Sequence, residues 1–420
     1  MNNDMSENLP RLPLPDWLRG SDQADLFPYQ TLSTRLPKIA RQVLESQAWP
    51  DQARQRLQTL IDDMPHGRLR PLQDPDAPDT AAWEHDLAPY AGKTWLEAPW
   101  FLAEMYFFRR ILEATGYYQA GRGWSIDPYR PQKSPQGVTG ALHGWRQALD
   151  TLCKDAQASD ERAAPMLARL MHMNIWGNQA DRSMWPSGAS EGPQQHSADR
   201  QAEHLLVDDA LAASQYLANA SHPRRVDIIL DNTGIELALD LGLADFLLLS
   251  GLADAIQLHT KPHPTYVSDA TRPDVMEMLV FMANAEDPAV QALGQRLQAY
   301  ISQGRQWITT DYFWTAPLCG WEMPPRLYAD LAQSTLLISK GDANYRRWLG
   351  DRNWAHTTPI QDILSYLPAP WAALRVIKAN IIAGLQPGQA EMTARKDPIW
   401  MNSGRWGVIQ FTAPSAPAPR

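Results

Sequence analysis

Cysteine is nearly missing from this chain: two in 420 residues, Cys153 and Cys319, allow no disulfide framework and show no zinc-type spacing. Long uninterrupted apolar sequence is missing as well. The most hydrophobic stretch, around 235–256, carries Glu236, Asp240, Asp245 and Asp254, which excludes a membrane span. The amino terminus, MNNDMSENLPRLPLPDW, contains no apolar signal core. Excess positive charge is also absent: a net charge of −9 argues against a nucleic-acid surface, which would show a basic stripe. These absences predict a cytoplasmic globular protein with neither a nucleic-acid nor a membrane partner. To bind a phosphorylated molecule, such an acidic chain must concentrate positive charge locally, through a metal or a few lysines and arginines.

The composition, 44% hydrophobic and 20% charged, suits a large buried core, and the length allows two or three domains or one elaborated one. Residues 1–30 are proline-rich and polar and predict an extended arm. Residues 31–185 read as a helical domain. Leucines and isoleucines recur at helical spacing from Ser33 to about Met64, TWLEAPWFLAEMYFFRRILEATG predicts one helix over 94–116, and further helices fall at about 140–156 and 160–176. PSGASEGPQQHS lies in a linker over 186–200. From 201 to 412 the texture changes to an α/β domain of alternating short β-branched runs and helical patterns. Helices are predicted at about 201–219, 234–250, 271–284, 287–303 and after Asp342. Strands are predicted at 226–231, 254–259, 334–339 and 406–411, with an extended piece at 264–268 and an apolar segment around 372–382. That alternation indicates a mostly parallel, Rossmann-like sheet flanked by helices. The tail, 413–420, is too proline-rich to fold, and no internal repeat is evident.

Three polar clusters follow predicted strand ends, where open α/β sheets bind ligands. In VDIILDNTGIELALDLGLADFLL the β-branched run stops at Asp231-Asn232, and Gly234 and an amphipathic segment follow. A carboxylate and an amide there are hard oxygen donors for a Mg²⁺-like ion, although both are also favoured helix N-caps. HTKPHPTYVSDAT, 259–271, offers Lys261 as a point charge for phosphate and Asp269 as a second carboxylate. His259 and His263 have no third ligand in view and read as loop histidines. SKGDANYRRWLGD, 339–351, places Lys340, Gly341, Asp342 and Asn344 at a strand-to-helix turn with Arg346 just inside the helix. A phosphate could be held there by backbone N–H groups and the guanidinium, or the segment is simply a capped turn.

Combined, two carboxylates and an amide can fix one divalent ion while Lys261, Lys340 and Arg346 neutralise a phosphate beside it. Phosphoryl transfer needs that kit, because its catalysis is largely positioning and charge stabilisation. A P-loop, a GxSxG elbow, a CxxxxxR phosphatase loop and a DxDx(T/V) element are all absent, which leaves a metal-assisted route.

At these residues the chain resembles the damage-control phosphatases (domain of unknown function 89), subfamily III. The resemblance rests on LDNTGIELALDLGLADFLL, on the Lys261-to-Asp269 segment ending VSD, on KGDANYRRWLGDRNW at 340–354, and on RVIKANIIAGLQPG at 375–388, which is similar to the subfamily's RTxK element. LRGSDQADLFPYQTLSTRLPKI, TWLEAPWFLAEMYFFRRI and IWGNQADRS resemble its amino-terminal half, so coverage runs from about residue 12 to 412. The resemblance implies a helical amino-terminal domain over an α/β domain. It implies a phosphatase using Mn²⁺, Co²⁺, Ni²⁺ or Mg²⁺ on small sugar phosphates such as fructose 1-phosphate and fructose 6-phosphate, in metabolite damage control. Asp231, Asn232 and Asp269 would be catalytic metal ligands. Lys261, Lys340, Asp342, Ala343, Asn344, Tyr345, Arg346 and Lys378 would join Asp231 and Asn232 in contacting substrate. Glu104, Trp176, Gly177, Asn178 and Asp181 match further family positions, and Glu104, Asn178, Asp181 and Arg375 would stand behind the substrate contacts. Val376 departs from RTxK by replacing its threonine, so a hydroxyl contact is lost and an altered substrate preference is expected. Two alternatives remain: S-adenosylmethionine-dependent methylation of protein carboxyl groups, against which stands the missing GxGxG loop, and a sugar-phosphate sensor without turnover. The attacking group, a metal-activated water or Asp231 itself, and the oligomeric state are left open by the residues.

Overall fold

The computed structural model of the chain describes residues 9–22, 27–120, 123–133, 138, 160–176 and 203–414. Its centre is a seven-stranded sheet: β1 (Leu205–Asp208), β2 (Arg225–Ile229), β3 (Ala255–Thr260), β4 (Gln306–Thr310), β5 (Leu336–Lys340), β6 (Trp371–Val376) and β7 (Gly407–Thr412). The spatial order is β1-β7-β6-β5-β2-β3-β4, and among the described strands β6 and β7 pair antiparallel while the other neighbours pair parallel. The expected mostly parallel sheet flanked by helices is therefore present. From β2 the chain steps outward through β3 to β4, then returns to β5 and continues to β6. The order reverses between β2 and β5, so their carboxyl ends frame the crevice at the topological switch point.

Side-chain alternation splits the core into two layers. Ile229, Leu337, Trp371, Ala373 and Val408 face the helices Leu36–Ser46, Asp51–Asp63 and Trp100–Thr115 and join them in one apolar cluster. Val226, Ile228, Leu336, Ile338, Ala372 and Leu374 face the opposite layer, built from Ile235–Leu249, Arg272–Ala283, Pro288–Ser302 and Ala210–Asn219. Both faces are covered, as parallel sheets require, and the inner strands are accordingly near-continuous apolar runs. The helix Asp160–Ile175, read with the helical half, packs in this second layer.

Several elements differ from expectation. The predicted 94–116 helix begins only at Trp100, because Pro99 disfavours helical backbone at the preceding residue and the Glu97 side chain closes a turn onto Thr94. Where one helix was expected over 201–219, strand β1 precedes Ala210–Asn219. The 264–268 piece is a tight turn, with Tyr266 and Val267 at φ of 47° and 70°. The expected 140–156 helix and 186–200 linker lie outside the described residues. Among the described residues no helix is long and apolar enough to cross a membrane.

Candidate active site

Strand β2 ends in Leu230-Asp231-Asn232, and the Ile235–Leu249 helix starts after Gly234. The 261–271 loop closes on this segment through backbone pairing. Asn232 and Asp269 form an isolated antiparallel bridge, Thr233 N donates to Ser268 O at 2.7 Å and Ala270 N to Asp231 O at 2.7 Å. Bridge partners have Cα atoms about 4.5–5.5 Å apart, and the Asp231 and Asp269 carboxylates are near enough to act on one another electrostatically. The left-handed conformations at Tyr266 and Val267 make the reversal that returns Asp269 to Asn232. For a β-branched residue such as Val267 that conformation stores strain of order 1–3 kcal/mol.

The three oxygen-bearing side chains therefore lie together. Asp231 and Asp269 are both buried. Burial first, then the neighbouring Asp269 and Glu236 carboxylates, push the Asp231 carboxyl well above its ordinary range. Burial raises Asp269 to about 6 against the opposing ammonium of Lys261. Lys261 Nζ stands 3.4 Å from Asp269 Oδ2, yet that oxygen accepts no hydrogen bond. Asn232 Nδ2 donates to Asp231 Oδ2 at 2.7 Å and Glu236 Oε2 at 2.9 Å, while its Oδ1 accepts from Ser268 Oγ at 2.5 Å. Among the described residues no three His, Cys, Asp or Glu side chains converge on one metal position. The set under discussion has two carboxylates and takes its third donor from an amide.

Across the crevice, β5 ends in Lys340-Gly341-Asp342. Gly341 has φ of +81°, and a β-carbon added there would lie 2.0 Å from Asp231 Oδ2. Only glycine fits between the two strand ends. Asp342 Oδ1 accepts from Arg375 Nε at 2.8 Å and from the Lys378 backbone N–H at 3.2 Å. Against its own burial, the Arg375 and Arg346 guanidiniums hold that carboxyl low. Lys378 itself is exposed, and its ammonium acts electrostatically on both Asp231 and Glu236. Ala343 is half-buried.

Other expected contacts face inward. Asn344 Nδ2 bonds Leu230 O at 3.2 Å and Lys340 O at 2.9 Å, and its Oδ1 accepts from Lys261 Nζ at 3.3 Å, so it ties the two strand ends together. Tyr345 lies under the Arg375 guanidinium at 4.0 Å and donates to Gln410 Oε1 at 2.8 Å. Arg346 is buried between Glu104 and Asp351, each at 2.6 Å, with its guanidinium 3.6 Å over the Trp100 ring and Nη2 left unbonded. The structure corrects the expectation that Lys340 faces a phosphate. Its ammonium is buried and bonded to Asp240 Oδ1 at 2.7 Å and Glu236 Oε1 at 3.1 Å, a counterion within the protein.

Glu236, Asp240, Asn174, Ser268 and Lys133 escaped the sequence reading. The Glu236–Asp240 spacing, one helical turn, was a legible signal of one shared face. Lys133 had none: from more than a hundred residues away its ammonium reaches Asp269 O at 3.1 Å and Asp274 Oδ2 at 2.9 Å, and it also pairs with nearby Asp127 Oδ2 at 2.9 Å. Trp176 is buried beside Gly407 of β7, whereas Gly177, Asn178 and Asp181 lie outside the described residues.

The damage-control phosphatase ARMT1-like domain matches residues 31–393. The chain is 32% identical to the damage-control phosphatase ARMT1 of Danio rerio over 92% of its own length and 95% of that protein's. It is 35% identical to the Mus musculus protein of the same name over 76% and 75% of the two lengths. A solved DUF89 family protein of Pyrococcus horikoshii aligns over 91% of this chain and 97% of its own at 13% identity, with a TM-score of 0.42.

Proposed function

Since the chain belongs to the damage-control phosphatase ARMT1-like family, we propose that it hydrolyses phosphate monoesters of small metabolites. The class favoured is sugar phosphates of the fructose 1-phosphate and fructose 6-phosphate type, with a divalent cation held by Asp231, Asn232 and Asp269. One observation carries the reading. Two carboxylates are buried side by side at the switch point, Asp231 and Asp269 are both pushed up in pKa, and Asp269 Oδ2 lacks a hydrogen bond. Two buried carboxylates this close repel one another beyond what the Lys261 ammonium, 3.4 Å from Asp269 Oδ2, offsets, and a hard cation relieves that cost. The donor set, two carboxylates and an amide oxygen, suits Mn²⁺ or Mg²⁺. Bound there, such an ion would supply Lewis-acid polarisation of the phosphoryl group.

The protein's own residues then have separable roles. Lys378, exposed beside the crevice, attracts the phosphate dianion. Arg346, its plane fixed by Glu104, Asp351 and the Trp100 ring, lends positive charge to the crevice from behind Asp342, a preorganisation that costs nothing at the moment of reaction. Lys261 offsets the Asp269 carboxylate, and Asn344 holds Lys261 and the β2 end in register. Lys340 stabilises Glu236 rather than touching substrate.

Phosphate release from a panel of sugar phosphates, with Mn²⁺, Co²⁺, Ni²⁺ or Mg²⁺ added singly, tests the proposal. Turnover of a fructose phosphate that chelation abolishes reversibly and Asp231→Ala abolishes outright is the expected result. Full activity in Asp231→Ala would refute the assignment.

A further inference from the structure

Glu236 lies in the first turn of the Ile235–Leu249 helix, buried, with both carboxylate oxygens engaged: Oε2 by Asn232 Nδ2 at 2.9 Å and Oε1 by Lys340 Nζ at 3.1 Å. Each oxygen already faces a donor, and the Lys340 ammonium beside Oε1 directs the carboxylate into the protein. Its neighbours continue a buried polar file away from the crevice. Lys340 also bonds Asp240 Oδ1 at 2.7 Å, and Asn174 Nδ2, from the Asp160–Ile175 helix, donates to the same oxygen at 2.9 Å. The file links the β2 end, the β5 end and two helices of the second layer.

At its open end stands the Asn232 amide. An amide has two chemically different ends, and which one faces a ligand depends on its neighbours. Two carboxylates, Asp231 Oδ2 and Glu236 Oε2, accept from the NH₂ end, while the Ser268 hydroxyl donates to the oxygen end. Turning the amide over would set its oxygen against two carboxylates. Asp231 is itself one of the proposed ligands, so once its oxygens serve a cation Glu236 is the acceptor that remains committed to the NH₂ group.

We propose that Glu236 is a positioning residue: held by Lys340, it fixes the Asn232 amide so that the oxygen, not the NH₂, is presented to the divalent cation. This rests on the metal-phosphatase reading above and assigns a task to a residue that neither binds metal nor touches substrate. Partners that orient metal ligands typically alter affinity ten- to a hundredfold when removed.

Mn²⁺ binding to the full-length protein, read from the electron paramagnetic resonance signal of free Mn²⁺, supplies a readout independent of turnover. Glu236→Gln can donate toward Asn232 and so removes the discrimination between the amide's two ends; Glu236→Asp keeps the charge for Lys340 but withdraws it by one methylene. Both variants should bind Mn²⁺ ten- to a hundredfold more weakly at an unchanged one ion per chain. The Mn²⁺ concentration for half-maximal phosphate release should rise by the same factor, while kcat at saturating Mn²⁺ falls much less. Parent-like Mn²⁺ affinity in a folded variant, or activity that excess Mn²⁺ fails to restore, overturns the positioning role and leaves the phosphatase reading standing. If Glu236→Gln does not fold, Glu236→Asp decides by the same criteria. A parent chain that binds no Mn²⁺ overturns the reading beneath, and this role with it.

Discussion

Gly341 is where the site's geometry is tightest. Its backbone, φ 81° and ψ 175°, lies in a region that is essentially glycine's alone and costs another residue of order 1–3 kcal/mol, and the added carbon would fall 2.0 Å from Asp231 Oδ2. Gly341→Ala should therefore lose phosphatase activity by two orders of magnitude or more with only a modest drop in thermal stability; parent-like kinetics would show that Asp231 is free to move. A second consequence concerns protons. Burial raises both Asp231 and Asp269, the latter to about 6, so a cation entering the site displaces protons that the two carboxyls otherwise retain. Apparent Mn²⁺ affinity should weaken by roughly tenfold per pH unit per proton displaced as pH falls below about 6, with proton release visible by calorimetry in buffers of different ionisation heat. Affinity flat from about pH 5 to 7 would contradict it. Asp231-Asn232 was legible as a strand end because it directly follows a β-branched run, whereas Asp269 was singled out after a piece expected to be extended that is in fact a tight turn. The inward turn of Lys340 was not legible, since its partners Glu236 and Asp240 read equally well as polar positions of an amphipathic helix.

At the scale of elements, the Arg272–Ala283 helix was readable to within a residue. Thr271 and Asp274 form a capping box, with Asp274 Oδ2 accepting from Thr271 N at 2.9 Å and Thr271 Oγ1 at 2.6 Å. The same carboxylate holds Lys133, which also bonds the Asp269 carbonyl. Asp274→Ala should cost more than the ~1 kcal/mol of an ordinary cap, because it also takes a buried charge partner from Lys133. Urea unfolding should show a loss of about 2 kcal/mol or more, together with weaker Mn²⁺ binding; a loss confined to stability would detach the cap from the site. Edge strands β1 and β4 were not legible: the apolar residues of β1, LLVD, lie just before the Ala210–Asn219 helix and read as part of it, and β4, QWITT, is mostly part-exposed and lacks an apolar run. The Gln389–Lys396 helix was missed for the same reason as β4, with two buried residues in eight.

For the whole molecule, the helical first half announced its secondary structure but not which sheet face it would cover, because packing partners are set by shape rather than periodicity. One buried group in that interface ties stability to pH. His263 lies in the site loop with Nε2 3.9 Å from Asp79 Oδ2, and burial pushes it down to about 4 despite that carboxylate. Below its unfolded value near 6.5 the unfolded chain takes up a proton that the folded chain refuses. Its contribution is therefore complete above pH ~6.5 and is lost as pH falls toward 4, in all on the order of 3 kcal/mol. Comparing the pH dependence of unfolding in the parent and His263→Asn isolates this effect from the carboxyls raised elsewhere. An identical slope in both would remove His263 from the account.

The central claim is that Asp231, Asn232 and Asp269 gather one cation at the switch between β2 and β5. Anomalous scattering from crystals grown with Mn²⁺ tests it most directly. A single strong peak roughly 2–2.5 Å from oxygens of all three side chains is predicted; a peak ligated by other residues, or none at this crevice, would contradict it.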